Sequence, residues 1–469
     1  MKKRTFLMAW FVFFVLLAIG TGCSQEANAQ EQEKPRDFGT EYNFRTDFQY
    51  SYECTANYDV PVQSDGTGQY ISRSGFVYYY NPEKKIMTPL CNKPNCLHDQ
   101  ETDWLRLQDC NACALANLRN AIQYYDGAVY SIVDYAGAFS SAGAKASLCR
   151  ITCDGGKKDI LCPLDYGSGE WPWVIHRGYL YYCSKSFFTV GEGKDQKVCS
   201  QFTVTVKSVK LSSHMDTEKH VVIYESDKNH HTYSVSRLVA YKDYLFFNIV
   251  ANELSYDPEK TTVEDWLRQV YSPAYIYNMK TGETKIITVP EGYSEASGIG
   301  DIAFLKDQLL VKIYDNLQPR EHPTQIYRMN FDLTDCKVWM DNVPQGKNMK
   351  CFGDYIILMD ANLRFDYVEK DSGFMGNILK EGESLYTNIE VFSSDAKPVA
   401  HCVYPQALID PIGFGPDGVR LEIEKNEEDL TWSVYRLKFD DVLRCHGETV
   451  EPELISTRKI GSLFKNFPF

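Results

Sequence analysis

The 469-residue chain has no surplus of basic residues: 49 Lys and Arg stand against 63 Asp and Glu, a formal charge of −14. Removing residues 1–22 takes Lys2, Lys3 and Arg4 with them and moves the balance to −17. Nucleic-acid binding rests on clustered cations that displace counterions from phosphates, so this balance argues against a nucleic-acid partner. Short catalytic signatures are missing as well. There is no Gly-x-Ser-x-Gly elbow, since Gly167-Ser168-Gly169 has the wrong spacing, and no phosphate-binding glycine loop. No His-Glu-x-x-His or EF-hand loop occurs, and His230-His231 are adjacent, which makes their rings diverge; we read them as an exposed loop pair.

What the chain does have is aromatic residues and cysteines: 32 Tyr, 25 Phe and 15 Cys. Flat rings suit pleated surfaces, which points to strands. The first residues, Met1-Lys2-Lys3-Arg4, precede an apolar or small stretch to Gly22, the layout of a secretory signal peptide. The stretch ends Ala18-Ile19-Gly20-Thr21-Gly22-Cys23-Ser24 and then turns polar. Small residues before a cysteine followed by a solvated tether resemble the lipobox of bacterial lipoproteins, although Gly20 stands where that family has Leu. The resemblance implies acylation of Cys23 and a lipid anchor on the outer face of the cell membrane. An uncleaved helical anchor and a plain secreted form are the alternatives, and each also puts the rest of the chain outside the cytoplasm. Residues 23–40 are rich in Gln, Glu and Ala, with Phe38 their one large apolar group, and read as a flexible tether.

Residues 41–469 read as a single domain built on a repeat. A turn containing Gly or Asp leads into a bulky apolar strand at Gly75, Asp126, Gly178, Asp243, Asp307, Asp354 and Asp417, and partner strands such as Ser147–Ile151 and Gln325–Met329 follow. Seven copies at roughly 47 to 65 residues each predict an all-β propeller of seven four-stranded blades, with six or eight as variants. A single blade cannot cover both its faces, so blades must stack around a ring. A sandwich of two sheets and an open array are the competing architectures. The first blade looks one strand short, so a strand from the far end of the chain is expected to close the ring. Thr261-Thr-Val-Glu264 predicts a capped helix to Val270, residues 104–121 a weaker one, and residues 361–386 an insertion over one face.

The tract Met87-Thr-Pro-Leu-Cys91-Asn-Lys-Pro-Asn-Cys96-Leu-His98-Asp99, followed by Cys110-Asn111-Ala112, resembles one found in propeller-like surface lipoproteins of clostridial gut bacteria, and the blades resemble TolB-like repeats. The resemblance implies fold and location; it implies no activity. Cys91, Cys96, His98, Cys110 and Cys113 form a Cys-rich insertion at 91–113 whose donors suit zinc, Cys-x2-Cys being a usual half-site. Disulfides within the same segment are the competing reading in an oxidising compartment, and free thiols the third. A hairpin turning at Gly155-Gly156 would place residue i opposite 311 − i, facing Cys149 with Cys162 for a cross-strand disulfide.

Trp171-Pro172-Trp173 precedes a strand, where exposed indoles would stack on sugars or dock a partner; packing between blades is the plainer reading. Asp354, Asp360, Glu422 and Glu424 offer carboxylates, but sequence alone cannot set the separation that glycoside chemistry requires. No catalytic residue is assigned and no cofactor beyond zinc. The expected function is a non-catalytic binding or scaffold protein for a protein or glycan partner. A carbohydrate-active enzyme with its site in the central funnel is the alternative, and a redox or metal-handling role through 91–113 a third.

Overall fold

A computed structural model describes residues 63–459 except 65–66, 74, 115–121, 134–145, 166–171, 191–196, 228–229, 254–271, 295, 320, 353, 362–363, 368–374, 379–385, 406–412, 416–417 and 427–430. The signal segment, Cys23, the tether, Trp171 and the helix expected at 261–270 lie outside the described residues, among which no helix is long and apolar enough to cross a membrane.

Short runs of bulky apolar residues between turns produce a series of mainly antiparallel sheets, each with its strands in chain order. We number them I (63–89), II (122–163), III (173–225), IV (230–287), V (297–344), VI (348–404) and VII (413–459). The strands carry apolar residues on both faces, and those faces go to different neighbours. In sheet IV, Leu245 and Phe247 pack with Val174, Tyr181 and Val204 of sheet III, while Phe246 packs with Phe304, Leu309 and Val311 of sheet V. Sheet V then gives Leu310 and Trp339 to a cluster with Ile356 and Leu358 of VI, whose Ile357 and Met359 meet Leu437 of VII. Val434 and Ile455 of VII join the core of sheets I, II and III, so the circuit closes. This is a propeller, held by clusters sandwiched between neighbours rather than by one central core.

Six of the sheets are four-stranded antiparallel blades. The expectation of seven such blades is corrected at sheet VI, which has five strands. After the third strand of VII the chain detours through helix Phe439–Leu443 and strand His446–Thr449, and that strand pairs in parallel with Pro398–Tyr404. The expected exchange of a strand between the ends of the chain is also absent from the described residues: Gln63–Ser64 pairs with Gln69–Arg73 and supplies sheet I with its own fourth strand. Within 361–386, Arg364–Tyr367 and Met375–Ile378 form a separate hairpin.

Turns between the first and second strands of successive sheets are latched to one another. The Gly178 amide donates to Tyr125 Oη at 2.6 Å, His176 Nε2 bonds the Lys242 carbonyl at 2.7 Å, and Tyr241 Oη donates to the Lys306 carbonyl at 3.0 Å. Arg177 pairs with Asp243, Lys242 with Asp307, and Lys306 with Asp354. A buried ionic joint ties sheets IV, V and VI a second time. Asp301 of V accepts from Arg237 of IV at 2.6 Å, from Lys312 at 2.7 Å, and from the Met349 amide of VI at 3.1 Å.

Candidate metal centre

The Cys-rich segment leaves sheet I after Ile86–Pro89. Pro94 and Asn95 turn the chain, with Asn95 in the left-handed region at φ 64°. A short 3-10 turn, His98–Gln100, and a helix, Trp104–Asp109, follow before the chain returns to the sheet through the Phe76–Cys113 bridge. This path brings one ligand atom from each of Cys91, Cys96, His98 and Cys110 within 4.8 Å of all the others. Cys110 Sγ lies 3.6 Å from His98 Nδ1. Metal–sulfur and metal–nitrogen bonds of about 2.3 and 2.0–2.1 Å subtend a tetrahedral edge of roughly that length. The cluster can hold a metal ion.

Charge and hydrogen bonding around the sulfurs suit ligation. Burial pushes the Cys91 thiol up, but backbone amides of Lys93, Asn111 and Ala112, with the Cys110 side chain, outweigh it and bring Cys91 below its ordinary value. Cys110, the most buried, is pushed far up by desolvation and then by the neighbouring Cys91 and Cys96. A cation placed among the three sulfurs relieves that mutual repulsion. Burial lowers His98, which favours the neutral ring a metal requires.

Of the five residues singled out by sequence, Cys113 falls outside the group. It sits in a turn bonded to the Cys110 carbonyl at 3.2 Å, and its side chain is buried in the core of sheets I and II. The four grouped residues are free thiols and an imidazole, without a disulfide among them.

The surroundings fix the segment on two sides. Lys158 Nζ of sheet II donates to the carbonyls of Gln108 and Cys110 at 2.8 Å and of Cys113 at 3.1 Å, a cation against the helix C-terminus. The Gly155 carbonyl accepts from the Asn111 side chain at 2.8 Å and from the Asn92 amide at 3.2 Å. On the other side Asp99, 1% exposed, takes a two-pronged pair from Arg458 in the last strand, at 2.5 and 2.9 Å, and a 3.1 Å bond from Tyr78 Oη. Gln100 Nε2 reaches the Lys459 carbonyl at 3.0 Å. None of these partners was visible in the sequence. Arg458 and Asp99 are 359 residues apart, and nothing local marks either.

Three further expectations are corrected. The Cys149–Cys162 register is displaced: a four-residue turn puts Ile151 opposite Lys158, and a bulge then pairs Leu148 with Cys162 and Cys149 with Ile160. Neighbours along a strand point to opposite faces, so the two buried thiols are separated by the sheet and both are free. Trp173 is 5% exposed, in the strand Trp173–His176 opposite Tyr182, so it serves packing rather than a binding mouth. His230 and His231 pair with Glu253 and Asn252 inside a strand, not in a loop.

No family model matches the chain and no curated protein matches it, so the likeness to clostridial surface lipoproteins stands on the motif alone. Among solved structures the chain is similar to a prolyl endopeptidase (12% identity, 98% of this chain and 56% of that one, TM-score 0.45). It is also similar to an oligogalacturonate lyase in complex with manganese (11% identity, 88% and 91%, TM-score 0.39). A third is TolB from Acinetobacter baumannii (11% identity, 81% and 76%, TM-score 0.33). The chain spans little more than half the length of the prolyl endopeptidase.

Proposed function

We propose that this chain is an exported, lipid-anchored propeller that serves as a non-catalytic binding or scaffold protein for a protein or glycan partner at the cell surface. The observation that carries the reading is the closed character of its one grouped metal-ligand set among the described residues. Three thiols and an imidazole fill all four positions of a tetrahedron, whereas a catalytic centre keeps one position for water or substrate. The soft sulfur-rich donors favour zinc. Cys91, Cys96, His98 and Cys110 would hold it, and its contribution there is cross-linking of the chain. Sheet VI takes its fifth strand, His446–Thr449, as a strap from sheet VII. Partner recognition falls to loops at a mouth of the ring, the usual place for variable contacts on a rigid scaffold. The net negative charge makes a nucleic acid an unsuitable partner.

Three measurements test the reading. Cells expressing the full chain should incorporate labelled palmitate, and Cys23→Ser should abolish it. The full chain purified in detergent should contain one zinc per molecule by elemental analysis. It should capture a protein or glycan in pull-down and glycan-array screens without releasing new reducing ends from that glycan. Sugar release at catalytic rates would overturn the non-catalytic assignment, and retained labelling in the Cys23 variant would overturn the anchor.

A further inference from the structure

We propose that metal binding at Cys91, Cys96, His98 and Cys110 closes the propeller ring, acting as a metal-dependent clasp between the first and last blades. This rests on the reading of the cluster as a zinc site. Three consecutive residues carry the link. His98 belongs to the ligand group, Asp99 holds Arg458 of the last strand, and Gln100 holds the Lys459 carbonyl. Ligand and seam contact therefore share one 3-10 turn, His98–Gln100, and cannot be positioned independently.

The rest of the segment explains why the turn depends on the ion. Its second half is secured without metal by the three Lys158 bonds, the Asn111 side chain and backbone bonds to sheet I. The first half is tied to sheet I at its ends, by the Leu90 amide on the Val77 carbonyl at 2.8 Å and the Tyr78 hydroxyl on Asp99 at 3.1 Å, but between them has only short local turn bonds, a 3.2 Å bond from Asn92 to Gly155, and the Lys93 ammonium on the Asp109 carbonyl. Cys91, Cys96 and His98 are the ligands in that weaker half, and Cys110 stands in the secured half. Zinc joins the two. It displaces the thiol protons of the three cysteines, which leave as up to three H+, takes the lone pair of His98 Nδ1, and leaves the cluster with one net negative charge.

The seam is the place where such a link matters most. Neighbouring blades elsewhere follow one another along the chain, whereas blades I and VII meet only after the whole chain has been laid down, so their contact closes the longest loop. Beyond the apolar contact of Val434 and Ile455 with the first blades, the polar contacts at the seam include those of Asp99 and Gln100, the Arg458 bond to the Met87 carbonyl, 3.1 Å, and the Arg458 guanidinium 5.1 Å above the centre of the Tyr78 ring.

The test is hydrogen exchange on the full chain in detergent, before and after zinc is removed by a chelator, with zinc counted in the same samples. Removal should speed exchange on the order of tenfold or more in peptides covering 86–100 and 453–459, leave 244–253 and 308–315 unchanged, and be reversed by Zn2+ alone. Asp99→Asn keeps all four ligands, so it should retain one zinc yet exchange at 453–459 as fast as the zinc-free wild type. A chain that gains and loses one zinc with the seam unchanged overturns the clasp while the zinc site stands; so does an Asp99→Asn seam that stays protected, or a loss of protection spread evenly over all blades. A chain that takes up no zinc overturns both.

Discussion

Gly155 offers the most decisive single substitution. It sits in the hairpin turn of sheet II at φ +69°, a left-handed conformation that costs a residue with a Cβ about 1–2 kcal/mol. An added Cβ would also lie 2.8 Å from the Cys91 amide nitrogen, 2.9 Å from Cys91 Cα and 2.9 Å from the Leu90 carbonyl carbon. These are backbone atoms of the strand end that delivers Cys91 to the cluster, so no side chain can swing aside. Forcing extra volume into a packed site costs about 1–3 kcal/mol. Gly155→Ala should therefore lose about 2–5 kcal/mol in total. Gly282 separates the two contributions: its φ is +74° but nothing lies within 4 Å of its added Cβ, so Gly282→Ala should lose about 1–2 kcal/mol. Urea unfolding followed by fluorescence gives both values from the midpoints, provided the slopes agree. Gly155→Ala should also retain less zinc through dialysis, and Gly282→Ala should not. Equal losses in the two variants would refute the close approach of the sheet II turn to Cys91.

Two other outcomes follow from buried charge and buried thiols. Asp301→Asn leaves Lys312 and Arg237 buried without their anion and should cost about 3–5 kcal/mol at neutral pH, read by urea unfolding. Burial alone would raise the Asp301 carboxyl, but Lys312 and then Arg237 outweigh it and hold it below its ordinary value. Its contribution is therefore complete above about pH 4, where the unfolded carboxylate is ionised, and is lost as pH falls through the lower folded value, so variant and wild type should converge in acid. Burial pushes Cys149 up to about 12, while Cys336 is exposed. At pH 8 only about one Cys149 in ten thousand is thiolate, so iodoacetamide should modify native Cys336 and spare Cys149 until denaturant is added; equal native rates would refute the packing.

Strands were legible because their pattern is local. Bulky runs such as Val77-Tyr78 and Leu310-Val311 are bracketed by turn residues, and a short continuous apolar run between turns is enough to mark each one. Their number and ends were less so. The fifth strand of sheet VI, His446–Thr449, is exposed along its whole length and carries no apolar signature. The Gly155-Gly156 pair suggested a two-residue turn, yet Gly155 is used for proximity to Cys91, and the turn takes four residues. Cysteine spacing found the four residues that the fold groups and added Cys113, because Cys-x2-Cys is a metal half-site only when both sulfurs face the same way. The turn closed by the Cys113 amide on the Cys110 carbonyl sends the second one into the core. Trp173 was misplaced for a related reason: a proline beside it reads as a loop, while the strand begins directly after that proline.

The pairings between blades show how far charge alone can be read. Arg177, Lys242 and Lys306 stand at the same point of successive turns, and each meets an aspartate of the next: Asp243, Asp307 and Asp354. That repeat is present in the sequence, and a search for a cation at one turn and an acid one repeat later would have found it. Its energetic weight is uneven. Lys306 and Asp354 are 68% and 64% exposed at 3.7 Å, a pair that water and salt reduce to almost nothing. Arg177 is only 4% exposed, so its removal would leave Asp243 partnered chiefly by Lys280. At the seam the logic reaches its limit. Asp99 is buried and met by two nitrogens of one guanidinium, a geometry that favours Arg over Lys and resists screening. The joint that sequence could not foretell thus outweighs the Lys306–Asp354 pair, because losing the Asp99 carboxylate leaves Arg458 and the buried Tyr78 hydroxyl without their acceptor. Asp354→Asn should leave the ring as stable as before, and Asp99→Asn should not.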